Sequence, residues 1–252
     1  MCSGRQLVKG VHRMRKDYQC KTLILCGGKG TRLGTLGKSV PKALVDLDGK
    51  PILYHKLHQS IRQGYDEFIL AIGYKGNLIK EVCGRMKPKC KVVFSDSGEN
   101  AGMLRRICDA QSYFDRKVLV TYGDSITNIK IRSLIDFHTK KRSLLSIVAA
   151  PIQSPFGLVT SDHDHRVMSF EEKPVLHYYI GTFMMDREAL DYIPEQIKDW
   201  PDGKGLVAFF KILMAINRLH TYNHQGPDIT FNTIEELNAA KSGYLKFYTH
   251  FH

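Results

Sequence analysis

The chain has 252 residues, 43% of them hydrophobic and 10% aromatic, enough to bury a sizeable core and too apolar for disorder. Its 37 Lys plus Arg against 25 Asp plus Glu give a formal charge of +12, which suits an anionic substrate or nucleic acid, but no basic run interleaved with aromatics marks a nucleic-acid surface in the body of the chain. No stretch approaches the roughly 20 consecutive apolar residues of a membrane span, the first residues lack an apolar signal core, and the six cysteines form no CxxC pair or zinc spacing, so a cytoplasmic protein with reduced thiols and no membrane association is expected.

Residues 1–20, where Arg5, Lys9, Arg13, Arg15 and Lys16 gather, read as a basic arm ahead of a single domain over 21–252. Thr22–Cys26 is a short apolar strand running into a glycine-rich loop. Pro51–Arg62 carries apolar side chains at Ile52, Leu53, Leu57 and Ile61 behind an initial proline, a helical pattern. Strand, helix and strand follow at Glu67–Ile72, Leu78–Met86 and Lys91–Phe94, then a helix over Met103–Phe114. Lys117–Tyr122 is β-branched and apolar enough for a central strand, and Ile131–Lys140 and Leu144–Ala150 read as helix and strand. This alternation predicts right-handed βαβ units: an α/β fold with a mixed, mainly parallel central sheet and helices on both faces. Beyond it, Phe156–Thr160 and Val167–Phe170 flank a polar turn at 161–165 and predict a hairpin. A strand over Tyr178–Met185, helices over Asp186–Ile193 and Leu206–Asn217, a strand over Leu219–Asn223 and a helix over Thr233–Lys246 complete the chain.

From Leu23 to Lys42 the sequence reads LILCGGKGTRLGTLGKSVPK. Gly27, Gly28 and Gly30 permit close backbone approach and positive φ, and Arg32, Lys38 and Lys42 can offer charge to phosphate oxygens. Two common nucleotide motifs fail on spacing. A dinucleotide fingerprint from Gly28 and Gly30 needs glycine where Leu33 stands, and a P-loop ending at Gly37-Lys38-Ser39 needs glycine where Arg32 stands. Thr121-Tyr122-Gly123-Asp124 ends an apolar strand in a carboxylate, at the sheet edge where open α/β folds bind ligands. Asp124 can there serve Mg2+ beside a triphosphate, or merely cap a turn. Arg105 and Arg106 read either as phosphate contacts or, the preferred reading, as a solvated helix face. The eleven histidines form no metal-site spacing, and no Ser-His-Asp set has a supporting strand elbow.

Gly27-Gly28-Lys29-Gly30-Thr31-Arg32 with Pro41-Lys42, followed by Asp48-Gly49-Lys50-Pro51-Ile52-Leu53, resembles the signature of the sugar-1-phosphate nucleotidyltransferases, and the likeness runs from about residue 21 to 246. TYGD at 121–124, with Asp136-Phe137-His138 downstream, looks most like the glucose-1-phosphate cytidylyltransferases. The resemblance implies a Rossmann-like nucleotidyltransferase fold. It also implies transfer of a nucleoside monophosphate from a triphosphate, CTP favoured, to a phosphorylated acceptor with release of pyrophosphate, as in capsule or cell-surface polysaccharide precursor synthesis. Arg32 and Lys42 inherit catalytic roles; Leu25, Gly27, Gly28, Gly30, Thr31, Arg32, Ala101, Gly102 and Asp124 would bind the nucleotide. Lys173, in Phe170-Glu171-Glu172-Lys173-Pro174, would hold the acceptor with Glu172 and Gly157. The metal, Mg2+ with Mn2+ as substitute, falls to Asp124 and to Asn232, which stands where many relatives carry Asp, with Asp228 as the alternative. Ala101-Gly102 lacks the usual Gly-Thr, and Ile180-Gly181 replaces an Asn-Gly pair, so an acceptor other than a hexose phosphate stays open: a phosphonate, a phospho-amino acid such as phosphoglutamine, phosphocholine or a polyol phosphate. A homo-oligomer is compatible with the family. From other classes come a nucleic-acid-binding protein, against which the triphosphate loop argues, and a non-catalytic nucleotide sensor.

Overall fold

The computed structural model describes residues 18–30, 34–86, 88–230, 233 and 235–241. In chain order the elements are β1 (Lys21–Leu25), α1 (Gly34–Ser39), β2 (Asp46–Leu47), β3 (Lys50–Pro51), α2 (Ile52–Arg62), β4 (Glu67–Ile72), α3 (Gly76–Met86), β5 (Lys91–Asp96), α4 (Met103–Asp109), β6 (Lys117–Tyr122), β7 (Ser125–Thr127), α5 (Ile131–Lys140), β8 (Leu145–Gln153), β9 (Leu158–Ser161), β10 (Val167–Glu171), β11 (Val175–Asp186), α6 (Glu195–Lys198), α7 (Lys204–Ala215), β12 (Leu219–Asn223) and β13 (Asp228–Thr230). Seven strands form the central sheet in the order β12-β8-β11-β6-β1-β4-β5. β6, β1, β4 and β5 are parallel neighbours, β12 is parallel to β8, and β11 alone runs antiparallel to both of its neighbours.

The central strands are continuous apolar runs because helices cover both faces. Alternation along β1 divides the core: Leu23 packs with Leu104 and Ile107 of α4 and Phe209 of α7, whereas Ile24 packs with Leu53 and Leu57 of α2 and Ile79 of α3. α5 lays Leu134 and Ile135 against Leu119 and Met184 farther along the sheet. Among the described residues no helix is long and apolar enough to cross a membrane.

Several expectations shift at their ends. The helix expected over Met103–Phe114 stops at Asp109, where the N–H of Ala110 turns back to the carbonyls of Arg106 and Cys108, and the chain tightens into a 3₁₀ turn at Gln111–Tyr113. Arg187–Tyr192 is likewise 3₁₀ rather than α-helical. β11 begins before Tyr178, because Val175–His177 continue the ladder on Pro151–Gln153 of β8 and form a projecting arm with the β9–β10 hairpin. Of the basic arm, residues 1–17 lie outside the described residues, while Tyr18 and Cys20 already pack with the α5 cluster. Residues 242–246 of the final helix also lie outside them.

Candidate active site

β1 and β6 are adjacent and parallel, so their carboxyl ends deliver Leu25–Gly28 and Tyr122–Asp124 to one edge of the sheet. The N–H of Gly123 donates to the Leu25 carbonyl at 3.0 Å, and a Cβ at 123 would stand 2.8 Å from that oxygen, so only glycine lets the two strand ends close up. A cavity of about 160 Å³ opens there, with Leu25–Gly28 on one side, Tyr122–Asp124 on another and Ala101 and Met103 across from them. It is smaller than pockets that swallow a whole ligand, and matches a cleft holding part of a nucleotide.

Lys42 opens the 3₁₀ turn Lys42–Leu44 behind Pro41, and its ammonium lies 2.8 Å from Asp124 Oδ2. Both side chains keep some access to solvent, so the pair is a charge-assisted contact at the cavity wall, open to exchange with a ligand. Gly30 crosses the Lys42 stem at φ +62°, and a Cβ there would lie 2.9 Å from Lys42 Cγ. The loop glycine therefore shapes the path of the lysine rather than lining the cavity itself.

The solvated-face reading of Arg105 and Arg106 holds for only one of them. Arg105 makes a bidentate contact to Asp199 at 2.7 and 2.6 Å on the surface. Arg106 is 3% exposed and points inward, donating to the carbonyls of Ile72, Gly27 at 3.2 Å and Gly98 at 2.8 Å. Burial pulls its pKa below the ordinary guanidinium value, and Asp96 opposes that shift. A Cβ on Gly27 would fall 2.2 Å from Arg106 Cζ, so the first glycine of the loop exists to admit this guanidinium. Arg106 thus pins the floor of the cavity and forms part of its lining.

A second buried cation lies under the carboxylate turn. Lys56 of α2 is 6% exposed; its ammonium donates to Thr121 Oγ1 at 3.0 Å and to the Ser125 carbonyl, and Thr121 Oγ1 also contacts Thr182 Oγ1 at 3.0 Å. Burial drives the Lys56 pKa down to about 8, with Asp124 and Cys26 pulling it back up. The Cys26 thiol, buried at the end of β1, is pushed up to about 12 by burial and is inert as a nucleophile.

Of the candidate residues, Leu25, Gly27, Gly28, Lys42, Ala101 and Asp124 converge on the cavity. Gly102 stands beside it and serves packing, since a Cβ there would lie 2.3 Å from the Trp200 carbonyl. Thr31, Arg32 and Asn232 lie outside the described residues. Asp228 starts β13, which pairs antiparallel with β7 and sets Thr230 opposite Ser125; its carboxylate accepts the Tyr178 hydroxyl at 2.8 and 2.9 Å. Gly157, Glu172 and Lys173 gather on the projecting arm instead of the cavity: a Cβ at 157 would lie 3.1 Å from Glu172 Oε2, and Lys173 Nζ is 3.9 Å from Glu172 Oε1, both side chains exposed. Sequence reasoning gave no site role to Met103, Tyr122 or Asp202 on the cavity wall or to Lys56, and it preferred a solvated face for Arg106. Lys56 left a trace, a lysine one helical turn after Ile52 on the apolar stripe of α2.

Among the described residues no three His, Cys, Asp or Glu side chains converge into a preformed metal site. Asp124 and Asp202 are the carboxylate residues lining the cavity, and Asp124 beside the glycine loop fits Mg2+, which takes one or two carboxylates and completes its shell with water and substrate phosphates.

The sequence model of a family described as nucleotidyl transferase matches residues 21–242. A probable glucose-1-phosphate cytidylyltransferase of Bacillus subtilis is 31% identical over 241 residues, covering 86% of this chain and 93% of the relative. The glucose-1-phosphate cytidylyltransferase of Salmonella typhi is 30% identical over 208 residues, 71% and 80% of the two chains. Relatives named as uridylyl- and guanyltransferases match as well, at 22% and 26% identity, and the chain spans 51% and 59% of their lengths. The fold matches a crystal structure of HddC from Yersinia pseudotuberculosis complexed with GMP-PN, with a TM-score of 0.68 and 24% identity over 90% of this chain and all of that one.

Proposed function

Because the chain belongs to the nucleotidyl transferase family, we propose that it transfers a cytidylyl group from CTP to a sugar 1-phosphate and releases pyrophosphate. The observation that carries this reading is the Lys42–Asp124 pair at 2.8 Å on the wall of a cavity floored by the glycine loop. In the reaction an acceptor phosphate oxygen, already ionised at neutral pH, bonds to the α-phosphorus as the bond to the pyrophosphate oxygen breaks. No proton moves, so no general base is required and the protein's work is positioning and charge stabilisation.

Lys42 leaves Asp124 to hold the α-phosphate and the incoming oxygen in line, while Arg32 grips the departing pyrophosphate. Gly27 and Gly28 let the backbone approach the phosphates, and Ala101 borders the base. Lys173, Glu172 and Gly157 on the arm receive the acceptor. Asp124, with Asn232 or Asp228, would hold Mg2+, which supplies charge neutralisation at the phosphates. CTP rests on the cytidylyltransferase relatives and on the TYGD and DFH segments, and a cytoplasmic role in precursor synthesis for cell-surface polysaccharide follows from that substrate pair.

The test is a pyrophosphate-release screen of CTP, UTP, GTP and dTTP against glucose 1-phosphate, other sugar phosphates, phosphocholine, polyol phosphates and phospho-amino acids with Mg2+. Release with CTP and a sugar 1-phosphate is expected, and Lys42→Ala should lower its kcat ~10²–10³-fold, as for loss of one stabilising donor. Turnover with a different triphosphate overturns the CTP assignment. Nucleotide binding without release from any pair points to a sensor.

A further inference from the structure

We infer that Lys56 is a positioning residue for the Asp124 turn, bracing both of its flanks from the core side and keeping a positive charge beneath Asp124 when Lys42 turns to the substrate. The geometry is that of a strut. Thr121 lies near the end of β6 and Ser125 begins β7, so one ammonium ties together the two residues that bracket Tyr122-Gly123-Asp124. The contact from Thr121 to Thr182 carries the brace into β11, the next strand of the sheet.

Lys56 reaches this place from α2, whose other buried residues near it are Ile52, Leu53, His55 and Leu57. An aliphatic side chain there would continue the apolar stripe. A buried ammonium needs compensation, because desolvation of an unpaired charge is costly. The Lys56 ammonium donates to a hydroxyl and a carbonyl, and the negative charge acting on it is Asp124. Asp124 therefore stands between two lysines, Lys42 in contact from the cavity side and Lys56 at longer range from the core side.

That arrangement has a consequence for the reaction. In the free protein Lys42 and Asp124 satisfy each other, and on the proposed mechanism the pair must part when Lys42 moves to the phosphates. The fixed charge of Lys56 lowers the cost of that parting, and its two hydrogen bonds stop the turn from drifting with the released carboxylate. A displacement of about 1 Å at a reacting centre can cost ~10²-fold in rate, so the loss of the strut should appear in kcat. A cavity of about 40 Å³ borders Lys56, lined by Thr22, Gln59, Gln63, Thr127 and Thr182, with Thr22 Oγ1, Gln59 Nε2 and Thr127 Oγ1 unpaired. It leaves room for a bulkier cation, which makes a conservative variant informative.

The inference rests on the roles given above to Lys42 and Asp124, and the experiment separates the two. Lys56→Met, Lys56→Arg and Lys42→Ala are compared with the wild type by steady-state pyrophosphate release, with near-ultraviolet circular dichroism as the check of folding. For Lys56→Met, kcat should fall ~10–10²-fold while KM for the triphosphate stays within about threefold, and Lys56→Arg should recover most of that loss. A Lys56→Met enzyme with kcat within twofold of wild type, a loss expressed wholly in KM, or an Arg variant no better than Met would overturn the strut. A fully active Lys42→Ala would instead sink the reading of the site. If Lys56→Met fails to fold, Thr121→Val decides: a lower kcat at unchanged KM supports the brace, and an unchanged kcat refutes it.

Discussion

Replacing Arg106 with Met should destabilise the protein, although Arg106 belongs to a short helix whose other arginine is on the surface. Methionine keeps most of the stem volume and removes only the guanidinium, so the change isolates the three carbonyl contacts. The Gly27 carbonyl retains the Tyr74 N–H at 3.2 Å, which leaves the Ile72 and Gly98 carbonyls as the acceptors that lose their guanidinium donor. Ile72 is buried, so its deprived carbonyl costs about 1–3 kcal/mol, whereas Gly98 is exposed and its carbonyl can pass to water. Removing the desolvation of the guanidinium itself offsets part of this, so about 1–2 kcal/mol should remain. For a chain of this size that corresponds to a Tm lower by about 2–8 °C. Urea unfolding followed by far-ultraviolet circular dichroism should show a lower midpoint at constant m, with KM for the triphosphate raised because the loop floor has lost its pin. Arg106→Lys should recover little, since a single ammonium cannot span three carbonyls as the planar guanidinium does. A midpoint change worth less than about 1 kcal/mol for Arg106→Met would refute this account of how the loop is held.

The two adjacent loop glycines should separate by function. Gly27→Ala places a methyl 2.2 Å from Arg106 Cζ and should lower Tm by several degrees, whereas Gly28 has nothing within 4 Å, so Gly28→Ala should keep Tm and lose only nucleotide affinity, measured by calorimetry. Equal Tm losses at the two positions would contradict the close approach. Lys56 should also leave a signature in pH-dependent stability. Its folded pKa lies near 8 against 10.5 for the free side chain, so between these values the unfolded chain binds more protons and stability contributed by this residue rises with pH. Wild type should therefore gain up to about 3 kcal/mol relative to Lys56→Met between pH 8 and 10.5, and parallel curves would refute a charged, buried Lys56. The projecting arm exposes Ile152, Phe156, Leu158, Val167, Met168 and Phe170, and large exposed apolar patches mark interaction sites. Light scattering should find a self-associated wild type and a smaller mass for a Phe156→Ser, Phe170→Ser double variant; a monomeric wild type would count against self-association.

The sheet and much of the nucleotide half of the site were legible in the sequence because their signals are local. Glu67–Ile72, Lys117–Tyr122, Ile131–Lys140 and Leu219–Asn223 coincide with their elements residue for residue, since an apolar run or a 3.6-residue stripe between polar breaks leaves one solution. Gly27, Gly28 and Asp124 follow strands whose carboxyl ends share one edge of the sheet, whereas Lys42, in a 3₁₀ turn, is assigned to the site by the family resemblance. Less legible was anything decided by partners that sequence patterns do not name. Met103–Phe114 tightens into 3₁₀ after Asp109, at Gln111–Tyr113 between the buried Ala110 and Phe114. The acceptor candidates form a cluster of their own on the arm, because β8 and β11 continue beyond the main sheet and carry Gly157, Glu172 and Lys173 with them.

The two buried cations show where the boundary of legibility falls. A charged residue on a helix normally belongs to the solvated face, and Arg105, bound to Asp199 at the surface, obeys that rule one residue away from Arg106. What reverses it for Arg106 is a set of backbone carbonyls from three separate segments, and a carbonyl is present at every position of the chain, so no residue type announces it. Glycine is the indirect sign: Gly27 and Gly73 would each place a Cβ within 2.4 Å of the guanidinium. The glycine loop therefore answers to two demands, phosphate approach on its outer side and a buried arginine on its inner side. Lys56 differs because its position on the apolar stripe of α2 conflicts with local pattern, and such conflicts concentrate where function overrides stability. Arg106 reaches the cavity lining, whereas Lys56 lies behind it, so the positive field at the carboxyl edge of β1 and β6 comes partly from a charge that does not line the cavity. A variant series confined to residues that line the cavity would miss that part of the field.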